Sequence, residues 1–227
     1  LNRQCPIIID FESFEQEGGF ADMKRAMTQQ AKDARAGQIL DAAEKLLKTT
    51  DYMSLKMSDI AREAGVSSGL IFTYFKTKET LFLCLLWREF SKRIECLENM
   101  AEKEQALTAG DIETLVLSEL EQVLYENSVY LKLEPMRPAI LEKNVDPELL
   151  DKMKGELAEK LLRLSEKLSR SGVVGREDVL EIFFVEIGII ISCGLQKALE
   201  KGFDVRPHII DRMSCYLQGR RQMNKKG

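Results

Sequence analysis

Apolar residues recur along this chain at spacings of three and four, the period of an amphipathic helix, and the β-branched runs are short. From Asp33 to Lys48 the stripe is Ile39, Leu40, Ala43, Leu46 and Leu47, and Thr49-Thr50-Asp51 ends it. Tyr52, Met53, Leu55 and Met57 supply apolar contacts on the way into a short helix, Asp59 to Ala64, with Ile60, Ala61 and Ala64 on one face. Gly65 stands where a helix end needs a residue tolerant of positive φ. Val66 can plug the corner, and Ser67 is a good N-cap for a second short helix with Leu70, Ile71 and Phe75 on its apolar side. Two short helices around a glycine turn predict a helix-turn-helix, whose second helix suits the DNA major groove.

The same periodicity continues to the end of the chain and predicts an all-α fold. Thr77 caps a long helix carrying Leu81, Phe82, Leu85, Leu86, Phe90, Ile94, Leu97 and Met100, long enough to leave the DNA module and enter the body. Gly110 and Asp111 break the chain before a further helix to about Tyr125. Pro135 and Pro138 kink or split the apolar segment from Val129 to Leu141. Asp146-Pro147-Glu148 is a strong helix start, and that helix runs to about Ser171. Glu177 to Lys201 is the most hydrophobic helix, closed by Gly202, and Asp204 caps a last one through Ile209, Ile210, Met213 and Leu217. The domains read as a flexible arm over residues 1–31, a DNA-binding domain over 32–78, a helical body over 79–222, to which the family resemblance described below adds ligand binding and dimerisation, and a frayed tail over 223–227. Lys24, Arg25 and Lys32 leave open an arm that reaches a DNA groove, although the arm as a whole is acidic.

Composition narrows the function classes. With 227 residues, 44% hydrophobic and 31% charged, the chain can bury a real core as a globular protein. Its 5 prolines and 14 glycines favour helix throughout. The five cysteines, Cys5, Cys84, Cys96, Cys193 and Cys215, are scattered without a CxxC pair and point to reduced thiols. A single histidine, His208, disfavours a histidine metal site or a catalytic triad, and no nucleophile–base pair or phosphate loop appears, so no enzyme, cofactor or metal is expected. The net charge of −4 divides unevenly: residues 32–95 hold 11 Lys and Arg against 9 Asp and Glu, a net of +2, which leaves −6 for the rest. A mildly basic segment on an acidic body is what a modular DNA-binding protein shows. The run Ile182–Leu195 is too short for a bilayer and is interrupted by Glu186; with no convincing signal peptide, a cytoplasmic protein without a membrane partner is expected.

The run from Ile39 to Leu86 resembles the DNA-binding domain of the tetracycline-repressor (TetR) family of bacterial transcription regulators. The matching pieces are Ile39-Leu-Asp-Ala-Ala43, Asp59-Ile-Ala61, Ala64-Gly-Val-Ser67, Gly69-Leu-Ile-Phe-Thr-Tyr-Phe75 and Lys78-Glu79. The body matches in layout, with Gly202-Phe-Asp204 similar to a family junction. The resemblance implies a three-helix DNA module, a homodimer joined through its last two long helices, and a palindromic double-stranded operator. It also implies a small-molecule inducer or corepressor in the body that shifts the long fourth helix, usually releasing a repressor. Carried over position by position, Ser67, Ser68, Gly69, Leu70 and Thr73 face the groove. Tyr74 and Lys78 match phosphate-contacting positions. Phe72 replaces a frequent tyrosine, and Lys56 replaces a Ser or Thr cap that Ser58 can supply instead. A helical interaction module that keeps the fold without operator binding is the competing reading.

Within the body, Trp87, Phe90, Met136, Phe183 and Phe184 either line an apolar cavity or are plain core. Glu186 is either a polar anchor in that cavity or an edge residue paired at the dimer seam or facing water. Gly188, Ser192 and Gly194 let another helix approach closely, and with Ile182, Ile189, Ile210, Met213 and Leu217 they make up the expected seam.

Overall fold

A computed structural model of the chain describes residues 20–103, 108–126, 128–170, 175–199, 202 and 204–224. Among them the regular structure is helical throughout. The α-helices are α1 (Phe20–Thr49), α2 (Met57–Glu63), α3 (Ser68–Tyr74), α4 (Lys78–Lys103), α5 (Ala109–Glu126), α6 (Ser128–Leu133), α7 (Pro147–Ser169), α8 (Arg176–Leu199) and α9 (Val205–Asn224). Between α6 and α7 the chain passes through a 3-10 turn (Glu134–Met136), a π-turn (Arg137–Leu141) and another 3-10 turn (Glu142–Asn144). Pro135 and Pro138 fall in the first two, so the expected splitting is observed.

The caps written in the sequence are made. Thr77 Oγ1 accepts from the Thr80 amide at 3.0 Å, and Asp146 Oδ1 accepts from the Leu149 amide at 3.1 Å with Pro147 as the first residue of α7. Asp204 Oδ1 accepts from the Arg206 amide at 3.2 Å behind Gly202, whose φ is +83°. Three expectations are corrected. First, α1 begins at Phe20, so residues 20–31, read as arm, are helical; the rest of that arm lies outside the described residues. Second, Gly110 and Asp111 do not break the chain but sit in the first turn of α5. There Thr108 and Asp111 cap each other reciprocally, at 2.7 Å from the Thr108 amide and 3.2 Å from the Asp111 amide. Third, Met53 is exposed in the turn before α2 and takes no part in the core.

The chain divides into two compact units, and the division falls inside α4 rather than at its start. One unit holds the residues up to Arg88 together with Ala139–Met153. Its core is Ile39, Leu40, Ala43 and Leu47 from α1, Ile60 and Ala61 from α2, Ile71 from α3, and Leu81, Phe82 and Leu85 from α4. Tyr52 meets Phe82 edge-on, with ring centroids 5.1 Å apart. Arg88 ties α4 to α1, with Asp41 at 2.8 Å and Glu44 at 3.0 Å. The other unit holds Glu89–Pro138 and the chain from Lys154 onward. In it α9 packs on both α8 and α5, and the 3-10 turn Glu134–Met136 packs on α8.

Candidate nucleic-acid interface

The turn between α2 and α3 is built from backbone geometry that its sequence dictates. Ala64 ends α2, and Gly65 follows with φ +66°. The space around a Cβ at Gly65 is open, so the backbone conformation itself selects glycine there. The Val66 amide then returns to the Ala61 carbonyl at 2.9 Å, and the Gly65 amide to Arg62 at 3.2 Å. Ser67 Oγ accepts from the Leu70 amide at 3.1 Å and so starts α3.

Helix α3 buries Ile71 and, just beyond its end, Phe75. It presents Ser68, Gly69, Leu70, Phe72 and Thr73 outward, with Tyr74 partly exposed. Leu70 is 37% and Phe72 50% exposed. The Thr73 hydroxyl donates back to the Gly69 carbonyl at 3.4 Å. Lys56 occupies the N-cap position of α2 without a side-chain bond to the helix, and Ser58, within the first turn, does not replace it as cap. Both are exposed. Lys78 turns its ammonium onto the Tyr52 carbonyl and lies 4.1 Å from the centre of that ring. Burial lowers its pKa, with Glu79 pulling the other way. Tyr52, buried and beside Glu79, is pushed up to about 12. Lys78, itself half-buried, thus clamps the start of α4 to the turn before α2.

The second unit contains a buried ionic cluster. Arg93 holds Glu119 with both arms of its guanidinium, Nε to Oε1 at 2.7 Å and Nη2 to Oε2 at 2.8 Å. Its Nη1 lies 2.7 Å from Glu186 Oε1, an ion pair without the alignment of a hydrogen bond. The exposures are 3%, 3% and 2% for Arg93, Glu119 and Glu186. Arg93 also lies over the Tyr130 ring at 4.7 Å, while Phe90 is 6.1 Å from Tyr130 and 5.8 Å from Phe183. Burial raises the Glu186 carboxyl above its ordinary range despite the pull of Arg93, and Glu119 adds to the rise. Among the described residues no helix is long and apolar enough to cross a membrane, and no group of three His, Cys, Asp or Glu side chains is placed to hold a metal ion.

Residues 39–85, from the buried stripe of α1 through the first turns of α4, match the family described as bacterial regulatory proteins, tetR family. Over these residues the chain is similar to the DNA-binding segment of tetR-family regulators. The fatty acid metabolism regulator protein of Bacillus subtilis (strain 168) is 31% identical over 98 residues, 37% of this chain and 50% of that protein. The chain therefore spans about half the length of that curated relative. Two solved structures share the fold over most of the chain. FadR from Bacillus subtilis in complex with stearoyl-CoA has a TM-score of 0.54 at 23% identity, covering 79% of this chain and 96% of that one. Thermus thermophilus FadR, a repressor in complex with lauroyl-CoA, has a TM-score of 0.54 at 17% identity, covering 81% and 93%.

Set on this tetR fold, the residues expected at DNA lie together on the outer side of α3 and at the start of α2, and Lys78 stands apart as a clamp. The body residues divide differently. Phe90, Phe183 and Glu186 meet around Arg93, and Met136 sits half-buried in the turn that packs on α8. Trp87 is buried in the first unit, and Phe184, at 67% exposure, points outward rather than into any cavity wall. Of the seam residues, Ile182, Met213 and Leu217 are buried among their own helices, which leaves them no surface for a partner. Gly188 and Ser192 are exposed, Ile189 and Ile210 half-buried, and Gly194 lies in the last turns of α8. Arg93, Glu119 and Tyr130 were missed. Their signal was register: Arg93 falls between Phe90 and Leu97 on the apolar stripe of α4, where a charge has to find a buried partner.

Proposed function

We propose that this chain is a transcriptional regulator that binds a palindromic operator as a homodimer and leaves it when a small molecule occupies the helical body. The observation that supports this best is α3. It is a capped recognition helix, held by Ile71 and Phe75, whose outer face exposes Ser68, Gly69, Leu70, Phe72 and Thr73. The acyl-CoA complexes of two proteins with this fold support a ligand with a long apolar chain, and the Phe90, Tyr130 and Phe183 cluster is chemistry suited to one. For the ligand to act it must prefer the subunit spacing that does not fit DNA, since equal affinity for both states shifts nothing. The regulator acts where its DNA is, in the cytoplasm.

The test begins with the purified full chain and a random duplex library. Enrichment of one inverted repeat is expected, and lauroyl- or stearoyl-CoA added to the complex should weaken it. Equal retention of all sequences would overturn the regulator reading in favour of a helical interaction module. A monomer at micromolar concentration in sedimentation would overturn the dimer.

A further inference from the structure

The outer surface of α3 is chemically unusual for a helix that reads bases. Its seven residues, Ser68-Gly-Leu-Ile-Phe-Thr-Tyr74, include no Arg, Lys, Asn, Gln, Asp or Glu. Those are the side chains that form bidentate hydrogen bonds to guanine and adenine or accept from cytosine. The hydroxyls that remain are partly engaged: Ser67 Oγ accepts from the Leu70 amide, and Thr73 donates to the Gly69 carbonyl. Beside the hydroxyls of Ser68 and Thr73, the largest side chains that α3 exposes are apolar. At about 100° per residue, Leu70 and Phe72 flank the buried Ile71 on either side. They form the two rims of the outward face, with Gly69 and Thr73 along its middle. A Cβ at Gly69 would meet nothing within 4 Å, so the middle of that face is open to close approach. Exposed Lys56 and Lys76 stand at the start of α2 and just past the end of α3, positive where a phosphate backbone would run.

We infer that Leu70 and Phe72 read sequence by apolar contact with the 5-methyl groups of thymine in the major groove. Thymine alone offers a methyl group there, and apolar side chains are its natural partners. Operator preference then rests on the placement of thymines and on DNA shape, not on guanine contacts. This inference rests on the regulator reading above.

The test uses the full chain and the duplex that it enriches. Each half-site thymine is replaced in turn by deoxyuridine, which removes one methyl and leaves the base pair's hydrogen bonding intact. At one or more positions affinity should fall about fourfold, the transfer value of one buried methyl. Leu70→Ala and Phe72→Ala, both at exposed positions, should each bind the thymine duplex more weakly and lose the thymine-to-uridine difference at their own positions. Their melting temperatures, compared with wild type, separate this from unfolding. Deoxyuridine duplexes that all bind within about twofold of the parent would overturn the inference while leaving the regulator intact. So would variants that keep the full thymine preference. A library with no enriched sequence would sink the regulator reading and this inference together.

Discussion

Replacing Arg93 by Met should destabilise the protein more than any surface change, and the expected size follows from the cluster it centres. Met keeps the aliphatic stem and removes the guanidinium, so packing loss is small and the electrostatic loss is isolated. Two carboxylates, Glu119 and Glu186, are then left at 3% and 2% exposure without the cation that holds both. Breaking a buried pair by removing one partner costs about 3–5 kcal/mol, out of the roughly 5–15 kcal/mol that a folded domain has in total. For a chain of this size that corresponds to a fall in melting temperature of about 6–20 °C. Circular dichroism melts at pH 7 and pH 5 measure it. The deficit should shrink at the lower pH, because burial favours the protonated form of Glu186 and protonation removes that uncompensated charge. Replacing the whole cluster, Arg93→Met with Glu119→Leu and Glu186→Leu, should recover most of the loss, since a well-packed apolar substitute for a buried ion cluster is often neutral. A single mutant melting within about 2 °C of wild type would show that these carboxylates are already neutral or hydrated, and would refute the reasoning.

Three further outcomes are expected. Gly65→Ala places a side chain at φ +66° with open space around it, so the cost is backbone strain alone, about 1–2 kcal/mol by chemical denaturation; a neutral result would mean that the turn rearranges. Glu186 has a folded pKa raised above its ordinary 4.5, so the native state binds more protons than the unfolded state once pH exceeds that value. Its contribution is therefore fully present below pH 4.5 and lost as pH rises through the raised pKa; Glu186→Gln should flatten that slope in melts across pH, and an unchanged slope would assign it to another group. Phe184→Asp should leave the melt of the isolated subunit unchanged and weaken self-association by at least about tenfold in sedimentation; undiminished association would remove this face from the dimer seam.

What could be read from the sequence was whatever local chemistry specifies. Gly65, Ser67, Thr77, Asp146 and Asp204 each fix a turn or a helix start through atoms within a few residues, and all five behave as read. The early start of α1 was not legible, because the stretch Phe20–Lys32 lacks the stripe that advertises a packed helix. Extending an established helix adds one bond per residue, and Ala, Met, Lys, Arg and Gln are good formers, so the helix propagates without that signal. The ionic cluster was hidden for the opposite reason. Its members stand at positions 93, 119 and 186, and nothing near any of them in sequence says which partner it meets.

Helix α8 shows where hydrophobicity alone loses its directional meaning. It is apolar nearly all round, so its sequence was equally compatible with a cavity wall, a core and a seam. One side, with Ile182, Phe183, Glu186, Ile190 and Cys193, is buried within its own subunit. The other carries exposed Phe184, Gly188 and Ser192 in successive turns. A helix buried on one side only would be expected to carry charge on the other, and instead α8 keeps a phenylalanine at 67% exposure followed by two small residues. Large, then small, then small along one exposed stripe suits a second helix that crosses close at Gly188 and receives Phe184 in a groove of its own. At 67% exposure Phe184 belongs neither to a cavity wall nor to the core, so this is the face on which a second copy of the chain would be expected to pack.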